Sequence, residues 1–454
     1  MKKVLVISYY WPPSGGAGVQ RWLKFCKYLR QFGWEPVVYT ALDAEYPVLD
    51  ESLEKEIPAG MQVIKKEIWE PYQMYKRFTG KTKDSRVVSG FLDENGKQGL
   101  SQKVSLWIRG NLFIPDARRF WIRPSVNYLS RWLKENHIDA IVSTGPPHSM
   151  HLIAMAVHEK TGIPWLADFR DPWVNIDFAG DLKMSSRARK LNMKLEKKVL
   201  DSCNQVVVVG DFMAEEFRSK TQTPVSVITN GYDPADFDVE IPAALQRSDD
   251  CFRIVHTGSL NDRRNHPAFW RALAELKSEN EEFAHKLQIK LIGKNDASVR
   301  QSIMENGLLE TTEFIDYLPH DQVIAHQKTA SVLYLSINNY GNMTGGFFSP
   351  KATLTGKLFE YLAAQRPILM QGPGDSQAAQ VIGEHAENRI IGFEDLNEIK
   401  SSIKDMFSKR TLSSSLSNSN NRYSRIKLTG EMAEVLSKIS KINKSKTDKP
   451  VRKN

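Results

Sequence analysis

The chain opens MKKVLVISYYWPPSGGAGVQR, and this segment constrains the fold more than any other. An aliphatic run, a glycine-rich turn and an amphipathic stretch in direct succession are the parts of a parallel-sheet unit, because the return to a parallel strand needs a crossover, usually a helix. KVLVIS predicts a buried strand, SGGAG the turn, and VQRWLKFCKYLRQFG a helix. In that helix Trp22, Phe25, Cys26 and Leu29 recur at helical spacing, and Gly33 ends it. EPVVYTA predicts the second strand. The alternation returns in IDAIVSTG, HSMHLIAMAVHEKTG, PWLADF and SCNQVVVVG, with a helix from Asp211. After PVSVITNGYDPADF, the polar stretch from Asp238 to Asp250 predicts a linker. A second series follows: CFRIVHTGS, a helix from about His266 to Glu279, LQIKLIG, EFIDYL, SVLYLSI, TGKLFEYLAA and PILMQG. Two successive doubly wound α/β units are expected, each a parallel sheet covered on both faces.

Size and charge narrow the partners. A chain of 454 residues fits two domains of roughly 200 residues each, and 41% apolar residues let each bury a core. The net charge of +9 points to an anionic partner, whether nucleic acid, membrane surface or phosphorylated substrate. Nucleic acid is set aside because the basic residues form no recognised binding module. Cys26, Cys203 and Cys251 lie far apart, which argues against a disulfide framework or zinc site and for a reducing compartment. The first apolar run, of about five residues, is shorter than the roughly 7–15 of a signal peptide. No apolar stretch approaches the roughly 18 residues of a membrane span. A cytoplasmic protein is expected, with peripheral attachment to the inner membrane face as the second option.

That option comes from residues 44–125, which interrupt the first unit. SLWIRGNLFIPDARRFWIRPS interleaves Trp107, Phe113, Phe120 and Trp121 with Arg109, Arg118, Arg119 and Arg123. Such a segment is either a packed helix pair with a solvated cationic face or a surface for a membrane interface or single-stranded nucleic acid. The basic, Lys/Ser-rich residues 441–454 predict a disordered tail.

Three strand-end segments concentrate polar chemistry. In SGGAGVQR, Gly15, Gly16 and Gly18 allow backbone N–H groups to approach a phosphate at a helix N-terminus. The dinucleotide fingerprint is incomplete, since Arg21 stands where its third glycine belongs. His148 in STGPPHS, and Asp168 and Arg170 in ADFRDPW, follow strands and are the catalytic candidates. Two acids flanking an arginine make either an ion-paired corner or a holder for sugar hydroxyls. The fourth cluster is SPKATLTGKLFEYLAAQRPIL. Thr355 and Gly356 open a helix where an anion can dock, and Lys357 and Glu360 share one face near that end. Lysine suits phosphate charge and a carboxylate accepts two hydrogen bonds from a vicinal diol, although a surface ion pair at this spacing is the plainer reading. The string Asp236-Phe237-Asp238 lies at the linker and is read as chance, so no metal is expected.

Taken in order, these segments together with SVITNGYDPADF and IVHTGSLNDRR resemble the family-4 glycosyltransferases over about residues 1–435. The resemblance implies a GT-B fold, two Rossmann-like domains facing a cleft. The implied divisions are residues 1–238 on the acceptor side with the insertion at about 44–125, residues 251–410 gripping a nucleotide-sugar, and residues 411–440 returning to the first domain. By motif, Glu360 would bind the ribose, and Lys357 or Arg264 the pyrophosphate. Gly15, Gly16 and Gly18 would approach the donor phosphate or acceptor, and Asn230 and Gly231 would lie at the domain junction. Three departures stand out: Ala352 replaces the family's first glutamate, Ser259 its usual arginine, and the acidic DFRD segment its N-terminal histidine. The expected activity is transfer of a sugar, usually with retention, from a nucleotide-sugar to a glycan or lipid-linked acceptor in cell-surface polysaccharide synthesis. The nucleotide-sugar is a substrate, and no separate cofactor is expected. A nucleotide-sugar epimerase and a non-catalytic nucleotide-sugar-binding protein are the rivals.

Overall fold

The computed structural model describes residues 1–70, 107–175, 184–246, 251–340, 350–383, 385–410 and 421–447. Seven strands form the first sheet: β1 (Lys2–Ile7), β2 (Trp34–Leu42), β3 (Gln62–Glu67), β4 (Ala140–Gly145), β5 (Trp165–Phe169), β6 (Gln205–Val208) and β7 (Val225–Val227). Their order is β3-β2-β1-β4-β5-β6-β7, and every pairing is parallel. The central position of β1 follows from its composition. Val4, Leu5, Val6 and Ile7 are wholly buried, which requires cover on both faces. Val4 pairs with Pro36 on one side and Ala140 on the other, so the strand order reverses there. Such a reversal opens a crevice at the carboxyl ends of the strands.

The second sheet repeats the plan with β8 (Phe252–Thr257), β9 (Leu287–Ile292), β10 (Thr312–Ile315), β11 (Val332–Ser336), β12 (Ile368–Gln371) and β13 (Arg389–Ile391). Its order is β10-β9-β8-β11-β12-β13, again all parallel. The pair of doubly wound units expected from the alternation of strands and helices is therefore the observed fold. β3 was not foreseen: QVIKKE lies inside the 44–125 interruption and carries too much charge to read as a strand, yet it completes the sheet edge beside β2.

Between the strands run helices α1 (Ala17–Leu29), α2 (Ile122–Glu135), α3 (Ser149–Thr161), α4 (Ser186–Ser202) and α5 (Asp211–Lys220). The second unit carries α6 (Pro267–Glu279), α7 (Glu281–Lys286), α8 (Ala297–Glu305), α9 (His320–Lys328), α10 (Gly356–Ala363), α11 (Gln377–Ile382) and α12 (Leu396–Ser408). A last helix, α13 (Arg425–Thr447), packs back on the first unit. Leu428, Met432, Ala433, Leu436 and Ile439 recur at helical spacing and join Val4, Val6, Val19, Trp22 and Cys26 in one core.

The chain passes between the units twice, and the two passages run side by side. Tyr232 N donates to Tyr423 O at 3.1 Å, and Arg425 N to Tyr232 O at 2.7 Å. Gly231 permits the approach, because a Cβ there would lie 2.2 Å from Tyr423 O. Of the basic-aromatic segment, Trp121 stacks on Tyr39 in the core at 5.1 Å, while Trp107, Leu112 and Phe120 are exposed. Residues 71–106 of the interruption, 341–349 of the polar loop before α10, 411–420 and 448–454 lie outside the described residues.

Candidate functional site in the interdomain cleft

Carboxyl ends of strands from both sheets confront each other. On the first unit, three loops are stitched together by Arg170 and Asp168. The Arg170 guanidinium donates to Gly18 O after β1 and to Pro146 O after β4. Asp168, at the end of β5, is fully buried and accepts from Arg21 at 2.8 Å, Trp22 Nε1 at 2.8 Å and Thr144 Oγ1 at 2.9 Å. The Arg21 that breaks the dinucleotide fingerprint is thus the ion-pair partner of Asp168. The same guanidinium donates to Thr229 O and Ile228 O, which ties the glycine-rich helix to the junction.

His148 follows β4 and stacks on Trp173 with centroids 4.7 Å apart and planes 3° apart. Burial, with His151 and Arg170 nearby, pushes its pKa well below the ordinary histidine value, so it is a neutral ring. Burial likewise lowers Arg170. Of the first-unit candidates, Arg170 alone meets the Gly18 backbone, while His148 packs on Trp173 and Asp168 is enclosed by Arg21, Trp22 and Thr144. Gly16 is the N-cap of α1 at φ +84°, and Gly15 N donates to Val48 O at 2.9 Å.

On the second unit, the cations converge. Arg264 closes a 3₁₀ turn after β8 and donates to Asn338 Oδ1 at 2.7 Å and Ser259 O at 3.2 Å. Lys357, in the first turn of α10, reaches back to His256 Nε2 at 3.3 Å and would meet a Cβ on Gly258 at 3.1 Å. His256 is buried in β8 with Nδ1 3.0 Å from Tyr334 O. That nitrogen must carry the proton, which leaves Nε2 to accept from the lysine. Burial and then Arg264 push the Lys357 ammonium well below its ordinary pKa, with Glu360 opposing. Thr355 caps α10 in an extended conformation without a side-chain capping bond, and its Oγ1 has no partner among the described residues. A Cβ on Gly356 would meet nothing within 4 Å. Glu360 does not turn to Lys357. Its Oε1 lies 3.2 Å from His320 Nε2, and its Oε2 accepts from Gln327 Nε2 at 3.1 Å.

The halves touch at specific polar contacts. Tyr317 Oη, after β10, donates to Asp50 Oδ2 at 3.0 Å and would sit 3.2 Å from a Cβ on Gly15. Gln377 Nε2, after β12, donates to Asp211 Oδ2 at 3.2 Å. Glu56, Asp233 and Asp236 bring carboxylate oxygens within 4.8 Å of one another, and Lys24 Nζ lies among them, 3.1 Å from Asp233 and 2.5 Å from Asp236. The Asp236-Phe237-Asp238 string ends the 3₁₀ turn Pro234–Phe237, which Asp233 caps, and the Lys24 ammonium lies among its carboxylates. Sequence reasoning missed His256, His320, Gln327 and Tyr317. The only local signal was the seven-residue spacing of His320 and Gln327, which puts them on one face of α9.

Two parallel doubly wound units with opposed strand ends and a paired double crossover define the GT-B class. Residues 15–236 match the model of Glycosyltransferase Family 4. The first unit thus resembles a glycosyltransferase family 4 domain, and the chain as a whole has the GT-B fold. Solved structures align along nearly the whole chain at low identity. Sucrose-phosphate synthase from Thermosynechococcus elongatus matches with TM-score 0.57 and 13% identity over 98% of both chains. An E. coli trehalose-6-phosphate structure bound with UDP-2-fluoro glucose gives 0.52 and 12%, covering 99% of this chain and 100% of that one. A protein assigned as UDP-N-acetylglucosamine 2-epimerase from Listeria monocytogenes gives 0.54 and 11% over 98% of both. No curated protein sequence matches the chain.

Proposed function

We propose that the protein transfers a sugar from a nucleoside-diphosphate sugar, held by the second unit, to a glycan or lipid-linked acceptor held by the first. One observation carries the reading: Arg264 and Lys357 converge beside the open N-terminus of α10, where burial disfavours the lysine's charge. An anion entering there relieves their mutual repulsion and takes backbone N–H groups as well. A diphosphate fits, and Glu360 one turn along suits the ribose diol. Stabilising the departing diphosphate is then the main catalytic term, with proximity of the two substrates the second. No protein nucleophile is needed for front-face attack with retention, and His148, Asp168 and Arg170 shape the acceptor side. With Ala352 in place of the first glutamate, sugar hydroxyls take their contacts elsewhere in the cleft.

A thermal-shift screen of nucleotide-sugars tests this, because a ligand binding only the native state raises its melting temperature. The preferred donor is expected to lose stabilisation by about 2–4 kcal/mol, some 30-fold or more, in Lys357→Ala, in line with loss of a charge-assisted contact. Unchanged donor binding in both Lys357→Ala and Glu360→Ala sinks the assignment. Isomerisation of the donor sugar without an acceptor would favour the epimerase. The acceptor reading places the reaction in cell-surface polysaccharide synthesis at the cytoplasmic face of an anionic membrane, with the exposed Trp107, Leu112 and Phe120 beside Arg119 and Arg123 as the docking face.

A further inference from the structure

The Glu360 carboxylate is clamped from the side opposite Lys357. His320 and Gln327 stand at the first turn and two turns along α9, and each reaches one carboxylate oxygen, at 3.2 and 3.1 Å. Gln327 also donates to Thr257 Oγ1 at the end of β8, at 3.2 Å, so its amide is oriented by the sheet. An ionised carboxylate offers about four lone-pair sites, so each oxygen keeps one for a ligand hydroxyl. The clamp and a vicinal diol can therefore coexist, the first fixing the plane in which the second binds.

His320 looks both ways. Its Nδ1 lies 3.8 Å from Asp236 Oδ2 on the turn at the domain junction. Asp236 is in turn 2.5 Å from Lys24 Nζ of α1. Glu360 on α10, Asp236 on the junction turn and Lys24 on α1 are the charged groups that bear on the ring, and Arg425 of α13 bears on Glu360. Burial opposes the charge on His320, but the two carboxylates outweigh it and raise its pKa to about 9. Burial pushes Glu360 up, and His320 with Gln327 overcomes that and holds it below its ordinary value.

We propose that His320 is a positioning residue for the donor ribose, aiming Glu360 at the 2′,3′-diol and linking that carboxylate to the domain junction through Asp236. The inference rests on the reading of Glu360 as the ribose ligand. Its signature is discrimination between ribo- and deoxyribonucleotides, which a purely structural histidine would not alter.

The experiment is calorimetric titration of the full chain with UDP, GDP and ADP, and of the tightest of these against its 2′-deoxy form. The native protein is expected to favour the ribonucleotide by about tenfold, as one hydrogen bond to a charged group would give. His320→Ala loses most of that preference, while Lys357→Ala binds both forms more weakly and keeps it. His320→Gln, nearly isosteric and uncharged, restores part of it at neutral pH. In the native protein the preference fades as pH rises through about 9, whereas in His320→Gln it stays flat. If His320→Ala does not fold, the His320→Gln pH profile decides, and a profile matching the native one overturns the proposal. If both His320 variants keep the preference while Glu360→Gln loses it, the inference falls and the donor site stands. If the native protein shows no preference, or Glu360→Gln keeps it, the donor reading itself falls.

Discussion

Gln365, the second residue past the end of α10, has φ +54°, the left-handed conformation that helix ends usually give to glycine. A side chain there costs about 1–2 kcal/mol, and glycine returns part of the gain through its freer unfolded chain. Gln365→Gly is therefore expected to stabilise the protein by about 0.5–1 kcal/mol, read as a higher denaturant midpoint at unchanged slope. A lower midpoint would mean that the glutamine side chain makes a compensating contact. At this scale the sequence was legible where chemistry is local. Lys357 and Glu360 stood out because both lie in the first turns of one helix. Their partners did not: His256, His320 and Gln327 meet them from 101, 40 and 33 residues away, a distance no spacing rule spans. Asp168 shows the same limit from the other side. Its segment left an ion-paired corner or a holder for sugar hydroxyls open, and the chain pairs it in the interior with Arg21, 147 residues earlier, rather than with the arginine beside it.

Elements were easier to read than their contacts. Apolar runs and helical spacing located most strands and α1, and Gly33 ends that helix at φ +80° after a 3₁₀ turn, Arg30–Phe32. β3 escaped because an edge strand needs little apolar surface, and Val63 and Ile64, one toward each core, supply it. The docking of α13 on α1 is the element on which the first unit's core depends. Leu436 is wholly buried there, so Leu436→Ala should cost about 2–5 kcal/mol by equilibrium unfolding. A loss under about 0.5 kcal/mol would show that α13 packs loosely and is not part of that core.

At the scale of the whole molecule, exposed aromatics and exposed cations meet on the surface of the first unit. Trp69 meets Phe120 edge to face at 4.8 Å, Phe113 lies 6.2 Å from Phe120, and Arg119 covers the same ring. Ser185 N donates to Asn111 Oδ1 at 2.8 Å, which carries this surface on to α4 with its exposed Arg187, Lys190 and Lys194. Co-sedimentation with phosphatidylglycerol vesicles is expected to exceed that with neutral vesicles severalfold, to fall with salt, and to weaken in Phe120→Ala. Equal recovery with both lipids would remove the membrane from the proposal. Charge in the sequence pointed to an anionic partner, but only the fold shows which cations gather on a surface and which, like Lys24 and Arg21, are spent inside.

The two passages at Gly231 and Tyr423 act like the pin of a door. Fastened to each other by backbone bonds, they hold the two leaves in register along one edge. At the opposite edge Tyr317 meets Asp50 beside Gly15, so the alignment of what faces across the opening is set from both sides. A bulkier residue at position 231 would bend the pin, and its damage would be felt first at the far edge of the opening.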